Sequence, residues 1–132
     1  MPLTVTHEDM TRFFLSLDQA VDLIFEALKD YHGGKIYIPK VPSARIMDLA
    51  ELMTPPCSGL PPVVTGIRPG EKLHEILISE EECLRTQDVG EYYVIHDIQS
   101  AVVFDDLDEE YSSKSVLMTK EAFEKFLVKH NV

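Results

Sequence analysis

The sequence of 132 residues is short of basic residues, with 12 lysines and arginines against 23 aspartates and glutamates. The formal net charge of −11 argues against nucleic acid as a partner, because binding to a phosphate backbone depends on dense lysine and arginine. The imbalance is local, since residues 80–110 hold eleven carboxylates and a single cation, Arg85. The rest of the chain is nearly neutral, so an anionic small molecule is not excluded as a ligand.

Cysteine is also scarce. Cys57 lies in a proline-rich stretch and Cys83 in an acidic one, without C-x-x-C spacing, so we expect two free thiols. The acidic run 105–110 lacks the alternating ligands and central glycine of a calcium loop, and is expected to be a solvated loop. Glu71 and His74 have the spacing of a carboxylate–histidine pair, but no further ligands can be assigned to it. We predict no metal site.

Long hydrophobic runs are absent. No stretch approaches the roughly 20 apolar residues of a membrane-spanning helix, and the first residues do not resemble a signal peptide. We therefore expect no membrane association and a cytoplasmic location. The length and a hydrophobic content of 45% suit one small core, which predicts a single domain over residues 1–132.

Glycine is limited to six residues, and no G-x-G-x-x-G spacing of a dinucleotide-binding turn occurs. Tyr31 and Lys35 have the Y-x-x-x-K spacing of a dehydrogenase active site, but Gly33 and Gly34 end the preceding helix between them. The two side chains then cannot project from one helical face. We assign no catalytic residue, and we expect this chain to bind no nicotinamide cofactor.

Hydrophobic spacing and capping residues predict helices alternating with strands, and therefore a mixed α/β fold. Ser16, Ser43 and Thr119 are the expected N-caps, and Ser16 forms a capping box with Gln19. Pro39 suggests an edge position for its strand or the end of that strand, because it has no amide hydrogen to donate. The predicted helices cover residues 17–31, 44–53, 71–77 and 120–130; the predicted strands cover 35–41, 63–67 and 91–96, and residues 100–104 form either a strand or an extended connector.

Two arginines lie where secondary-structure elements are expected to begin. Arg68 precedes Pro69 and Gly70, a turn pair that leads into the helix predicted at 71–77, and Arg12 lies shortly before the helix predicted at 17–31. A guanidinium matches phosphate oxygens with a planar fork of donors, and a helix N-terminus adds its own attraction for anions. This pattern suggests a diphosphate clamp. Spacing alone leaves open the alternative that Arg68 pairs with a surface carboxylate.

Five segments, in this order along the chain, carry a resemblance to a known family. They resemble the carboxyl-terminal part of the inverting UDP-N-acetylglucosamine 4,6-dehydratases, which are extended short-chain dehydrogenase/reductases of surface-polysaccharide and flagellin-sugar biosynthesis. The run Gly66-Ile-Arg-Pro-Gly-Glu-Lys-Leu-His-Glu75 is the most specific to that family and its close relatives. The segments are 6–14, 20–22, 32–43, 66–75 and 110–113.

The resemblance implies a small mixed α/β substrate-binding domain without its Rossmann domain. In that family Arg12 and Arg68 would hold the diphosphate of UDP-N-acetylglucosamine, and Glu71 would lie near the ribose or base. The resemblance also implies an NADP (or NAD) cofactor, held with the catalytic residues by the missing amino-terminal domain. That cofactor takes a hydride from sugar C4 and returns it at C6 after water is eliminated, with inversion at C5.

Two alternatives remain open at this point. The chain could be the substrate domain of a related UDP-sugar epimerase, which would share the clamp but not the elimination step. It could also be a stand-alone interaction module that keeps the fold without activity. If a Rossmann domain is the normal partner, its absence bares apolar surface, and we expect the isolated chain to self-associate.

Overall fold

A computed structural model describes residues 1–30, 33–57 and 59–132. The Tyr31 end of the first predicted helix, and the Tyr31–Lys35 pair as a whole, therefore fall outside the described residues. The helices are α1 (Leu17–Lys29), α2 (Ile46–Met53), α3 (Glu80–Cys83) and α4 (Lys120–Lys129). The strands are β1 (Thr4–Val5), β2 (Thr11–Phe13), β3 (Ile36–Pro39), β4 (Ser43–Arg45), β5 (Val63–Val64), β6 (Ile76–Ile78), β7 (Thr86–Asp88), β8 (Tyr92–Ile95) and β9 (Tyr111–Ser112).

The chain divides into two compact units. Unit 1 comprises Met1–Phe14, Pro42–Glu75 and Ser113–Val132, and unit 2 comprises Leu15–Val41 and Ile76–Ser112. The single substrate-binding domain expected over residues 1–132 stays a prediction. None of the helices in the described ranges has the length and apolar character needed to cross a membrane.

Unit 1 is built from two strand pairs and two helices. Strands β1 and β5 pair in parallel, and strands β2 and β4 pair antiparallel with Arg12 opposite Ala44. The core forms around Phe123, which is fully buried on α4 and has its ring centroid 4.7 Å from that of Phe14. Ala44 and Leu127 belong to the same buried cluster, with Leu49, Leu52, Met118 and Phe126 packed against it.

Helix α4 matches its prediction because its signals are local. The Thr119 hydroxyl accepts a hydrogen bond from the amide of Ala122 at 3.2 Å, which satisfies one of the free donors of the first turn. Phe123 and Leu127 then lie one turn apart on the buried face. The predicted capping box of α1 also forms, with Ser16 and Gln19 each bonding the other's backbone amide.

The helix start predicted at Ser43 is wrong. Ser43 is fully buried in β4, where it pairs with Phe13, and α2 begins only at Ile46. The Ser43 hydroxyl donates to the carbonyl of Ser113, seventy residues away, instead of accepting from a nearby amide. A long-range partner therefore displaced the local cap that the residue type favours.

Unit 2 is organised by an antiparallel three-stranded sheet with the order β3-β8-β7. The edge position predicted for the strand with Pro39 is confirmed, and the strand predicted at 91–96 is the central β8. Strands β6 and β9 form a second, two-stranded pair in this unit. Residues 100–104 form a connector, in which the Phe104 amide donates to the carbonyl of Leu84 at 2.9 Å.

Helix α1 has an apolar stripe that is not buried. We refer to five of its side chains as the α1 stripe, and they range from 40% to 81% exposed. An amphipathic helix of this kind normally covers a core with such a face. The α1 stripe is therefore apolar surface that unit 2 leaves open; its residues are Leu17, Val21, Ile24, Phe25 and Leu28.

Phe123→Ala tests the core of unit 1. We expect a loss of about 3–5 kcal/mol in the free energy of unfolding, because a fully buried phenyl ring is replaced by a cavity. Val128→Ala on the same helix is the control, since Val128 is 70% exposed and its truncation removes little buried surface. Urea unfolding followed by far-ultraviolet circular dichroism compares the two variants. Equal losses would contradict the assigned core.

Candidate functional site

The segment 65–75, singled out by the sequence, belongs to unit 1 and forms a tight turn followed by a bend. The amide of Glu71 donates to the carbonyl of Arg68 at 3.0 Å, and Gly70 has φ of +82°. Proline at the second position and a positive φ at the third define a type II turn. The Pro69-Gly70 turn is therefore confirmed.

The helix predicted over residues 71–77 is wrong. Residues 71–75 contain no helical turn, and residues 76–78 form strand β6, which pairs with β9. The spacing of Leu73, Ile76 and Leu77 suggested a helical face, but pairing with Tyr111 and Ser112 supplies the backbone hydrogen bonds instead. The attraction of a helix N-terminus for phosphate accordingly does not apply at Arg68. The strand predicted at 63–67 is shorter than expected. It covers only Val63–Val64, and both residues are exposed.

Glu71 braces this turn. One carboxylate oxygen accepts from the amide of Arg68 at 3.1 Å, and the other accepts from the hydroxyl of Thr6 at 3.1 Å. The first bond closes the turn on itself, and the second ties the turn to the residue that follows β1. Glu71 therefore fixes the backbone from which the Arg68 side chain projects. Its expected position near a ribose or base stays a prediction.

The side chain of Arg68 is exposed. Within the described ranges, no hydrogen bond or ion pair joins this guanidinium to another residue. The alternative of a surface ion pair for Arg68 thus finds no carboxylate partner in that part of the chain. The guanidinium keeps its charge and its donors available for an anion.

Arg12, in contrast, is already engaged with the same segment. One of its terminal nitrogens, Nη1, donates to the carbonyls of Thr11 at 2.7 Å and Leu73 at 3.3 Å, and the other, Nη2, donates to Lys72 at 2.8 Å. Its Nε lies 3.6 Å from a carboxylate oxygen of Glu75. The fold therefore brings Arg12 against residues 72–75, a few residues after Arg68 on one continuous segment. Part of the Arg12 side chain remains exposed, at 26%.

A buried polar network lies beside Arg12, and sequence reasoning did not find it. The hydroxyl of Thr11 is 2.6 Å from that of Ser113 and 2.7 Å from Nδ1 of His74. The Ser113 hydroxyl also accepts from the amide of Glu75 at 2.9 Å. The sequence offered one signal: segments 66–75 and 110–113 both belong to the family resemblance. A resemblance does not show that two segments contact each other, so the network could not be inferred from it.

Local charge favours an anion here despite the acidity of the whole chain. Segment 65–75 contains two cations, Arg68 and Lys72, and two carboxylates, Glu71 and Glu75, and Arg12 adds a third cation. This part of unit 1 thus carries a formal excess of one positive charge. The acidic run 80–110 belongs to unit 2.

The residues of this chain do not fit a dinucleotide cofactor. A phosphate-binding glycine turn brings its backbone close to the ligand, and no G-x-G-x-x-G spacing occurs in the sequence. We therefore derive no hydride-transfer step for this chain.

A family model described as a polysaccharide biosynthesis protein matches residues 1–97. The chain belongs to that family. Among curated members, the UDP-N-acetylglucosamine 4,6-dehydratase (inverting) of Campylobacter jejuni subsp. jejuni serotype O:2 is 40% identical over 110 residues, which are 83% of this chain and 31% of that protein. The resemblance drawn from the sequence motifs is thereby confirmed.

A second type of enzyme is also similar. The UDP-glucose 4-epimerase of Rickettsia bellii is 38% identical over 94 residues, which are 70% of this chain and 28% of that protein. The chain thus spans about a third of the length of the curated relatives it matches.

A solved structure supports the fold. The X-ray structure of Pen from Bacillus thuringiensis matches this chain with a TM-score of 0.83 and 28% sequence identity, covering 98% of this chain and 41% of that one. The predicted fold class, a small mixed α/β fold related to the extended short-chain dehydrogenase/reductases, is confirmed.

Gly70→Ala tests the turn that presents Arg68. We expect a loss of about 1 kcal/mol or slightly more in the free energy of unfolding, because alanine is strained at a φ of +82°. Gly33→Ala is the matched control, since a Cβ there also meets no atom within 4 Å and Gly33 does not have a positive φ. Thermal unfolding of both variants would measure the difference. A cost no larger at Gly70 than at Gly33 would argue against the type II turn.

Proposed function

We propose that this chain is the UDP-sugar-binding part of a UDP-N-acetylglucosamine 4,6-dehydratase of the inverting type, acting in surface-polysaccharide or flagellin-sugar biosynthesis. The observation that carries the proposal is the exposed guanidinium of Arg68, which has no partner among the residues that the structure describes. It lies on a turn that Glu71 braces, shortly before the segment that Arg12 contacts. In this proposal Arg68 binds the diphosphate directly. Arg12 contributes its charge and its remaining exposed edge.

The chemistry of the ligand follows from these donors. A guanidinium pairs with phosphate oxygens through two parallel hydrogen bonds, and such charge-assisted bonds are about twice as strong as neutral ones. A diphosphate carries two linked negative groups. This suits one arginine on the turn, Arg68, and a second, Arg12, that is bonded to the residues following that turn. Lys72 adds a flexible point charge beside them. A neutral sugar alone would leave these charges without partners.

Glu71 is proposed to contact the nucleotide ribose. An ionised carboxylate has about four lone-pair positions, of which the Arg68 amide and the Thr6 hydroxyl occupy two. The remaining positions can accept from the two hydroxyls of a ribose. Glu71 would then link the shape of the turn to recognition of the nucleoside.

Catalysis is proposed to depend on a cofactor-binding Rossmann domain that contacts this chain. Two observations support this part of the proposal: the sequence contains no glycine spacing of a dinucleotide-binding turn, and the side chains of the α1 stripe are exposed. That domain would hold NADP or NAD and the acid, tyrosine and lysine of the reaction. The α1 stripe is the surface on which we propose it packs. The free thiols of Cys57 and Cys83 suit the reducing cytoplasm, the proposed location.

An epimerase acting on a related UDP-sugar is the second candidate. It is favoured by the similarity to the Rickettsia bellii UDP-glucose 4-epimerase, and it would use the same diphosphate clamp. The dehydratase is preferred because the match to the Campylobacter jejuni enzyme covers more of this chain, 83% against 70%. Stronger binding of UDP-N-acetylglucosamine than of UDP-glucose would support that preference.

Arg68→Ala is expected to weaken binding of UDP about tenfold or more. The estimate follows from the loss of a charge-assisted hydrogen bond, worth about 1.5–3 kcal/mol, where about 1.4 kcal/mol is a factor of ten. Protein-observed NMR titrations with UDP and UDP-N-acetylglucosamine would give the affinities. Arg12→Ala is expected to weaken binding as well, since it removes a charge and loosens residues 72–75.

Arg85→Ala is the control for charge. Arg85 belongs to unit 2, where it pairs with Glu82 and donates to the carbonyl of His96. Its removal makes the net charge more negative by the same one unit and changes no residue of segment 65–75. Uridine, which lacks phosphate, is the control for ligand chemistry and should bind far more weakly than UDP. A folded wild-type chain that shows no shifts with UDP would contradict the proposed function and favour an interaction module.

The α1 stripe is expected to make the isolated chain self-associate. Replacing Ile24 and Leu28 by glutamate should shift the chain toward monomer, because charges would oppose burial of this face. Val128→Glu on α4 is the control, since Val128 is an exposed apolar residue outside the stripe. Size-exclusion chromatography with light scattering over a range of concentrations measures the effect. A wild-type chain that stays monomeric throughout would count against the proposed contact surface.

A further inference from the structure

Ser113 is fully buried and is bonded at every polar atom that the structure describes. Its amide donates to the carbonyl of Glu75 at 2.8 Å, and its hydroxyl accepts from the amide of Glu75 at 2.9 Å. Its carbonyl accepts from the hydroxyl of Ser43. Ser113 therefore holds the backbone of Glu75 from both sides, over a separation of 38 residues in sequence.

Glu75 passes this constraint to Arg12. Its carboxylate lies 3.6 Å from Nε of Arg12, while the carbonyls of Lys72 and Leu73 accept from the terminal nitrogens of the same guanidinium. The position of the guanidinium thus depends on three residues of this segment: the backbone carbonyls of Lys72 and Leu73 and the side chain of Glu75. Ser113 fixes the carboxyl end of that segment through its two hydrogen bonds to the backbone of Glu75.

Thr11 closes the network from the strand side. It precedes Arg12 in β2, and its hydroxyl is 2.6 Å from the Ser113 hydroxyl and 2.7 Å from Nδ1 of His74. The Thr11 amide also donates to the carbonyl of Leu73 at 3.0 Å. Strand β2 and segment 72–75 are therefore joined through Thr11 as well as through Arg12, and the Ser113 hydroxyl bonds both Thr11 and the Glu75 amide.

We propose that Ser113 is a positioning residue of the phosphate site, which sets the orientation of the Arg12 guanidinium through Glu75. This inference rests on the proposed function, because the orientation of Arg12 matters for binding only if the site takes a diphosphate. Ser113 itself does not contact the ligand. If the Ser113 hydroxyl served packing alone, the effect of its removal on UDP binding would not depend on Arg12.

A double-mutant cycle tests this role. Ser113→Ala is expected to weaken UDP binding about fivefold to tenfold when Arg12 is present, and less than twofold when Arg12 is replaced by alanine, because coupled residues are not additive. Ser43→Ala is the matched control. It removes an equally buried serine hydroxyl, which donates to the Ser113 carbonyl and makes no bond to Glu75. Ser43→Ala should therefore lower stability while leaving UDP affinity within about twofold.

A second measurement reads the positioning without ligand. The ¹⁵N resonance of Arg12 Nε and the hydrogen exchange of the Glu75 amide should both change in Ser113→Ala, and change little in Ser43→Ala. Equal effects of Ser113→Ala on affinity with and without Arg12, or an Arg12 Nε resonance that does not move, would overturn the positioning role while the proposed function stands. Absence of UDP binding by the folded wild-type chain would overturn the proposed function, and this role with it.

Discussion

The hydrogen bonds from Arg12 to the backbone carbonyls of Lys72 and Leu73 are the constraint on which the candidate site depends. They join strand β2 to a stretch about 60 residues later that has no helix or strand of its own. A guanidinium suits this task because its donors are fixed in one plane, so each bond restricts the others. Without these bonds, the segment that carries the turn and Glu75 would depend on the bonds of Thr65 to Val5 and of Glu71 to Thr6 at one end, and on those of Thr11 and Ser113 at the other.

The same arrangement separates two uses of positive charge. The Arg12 guanidinium is turned largely inward, to carbonyls and to Glu75, while the Arg68 guanidinium projects outward from a turn that Glu71 closes. One arginine therefore organises the backbone, and the other remains available to a ligand. Although the chain has a net charge of −11, the residues of segment 65–75 and Arg12 together carry a formal excess of one positive charge.

Predictions from sequence succeeded where the deciding partner lies within a few residues. The caps at Ser16 and Thr119 and the Pro69-Gly70 turn all form, since each depends on bonds spanning three residues. Predictions failed where a distant strand competed. Ser43 was expected to cap a helix and instead donates to Ser113, and the helix expected at 71–77 gives way to pairing with Tyr111 and Ser112.

The sequence by itself determined the charge distribution, the local caps and turn, the family resemblance and the two arginines. Only the tertiary structure decided that Arg12 is bonded to segment 72–75, that Arg68 has no side-chain partner among the described residues, and that Thr11, His74 and Ser113 form one network. The reason is physical. A hydroxyl or a guanidinium can satisfy its donors with many partners of equal chemistry, and the partner it takes is set by which strands the fold brings alongside it.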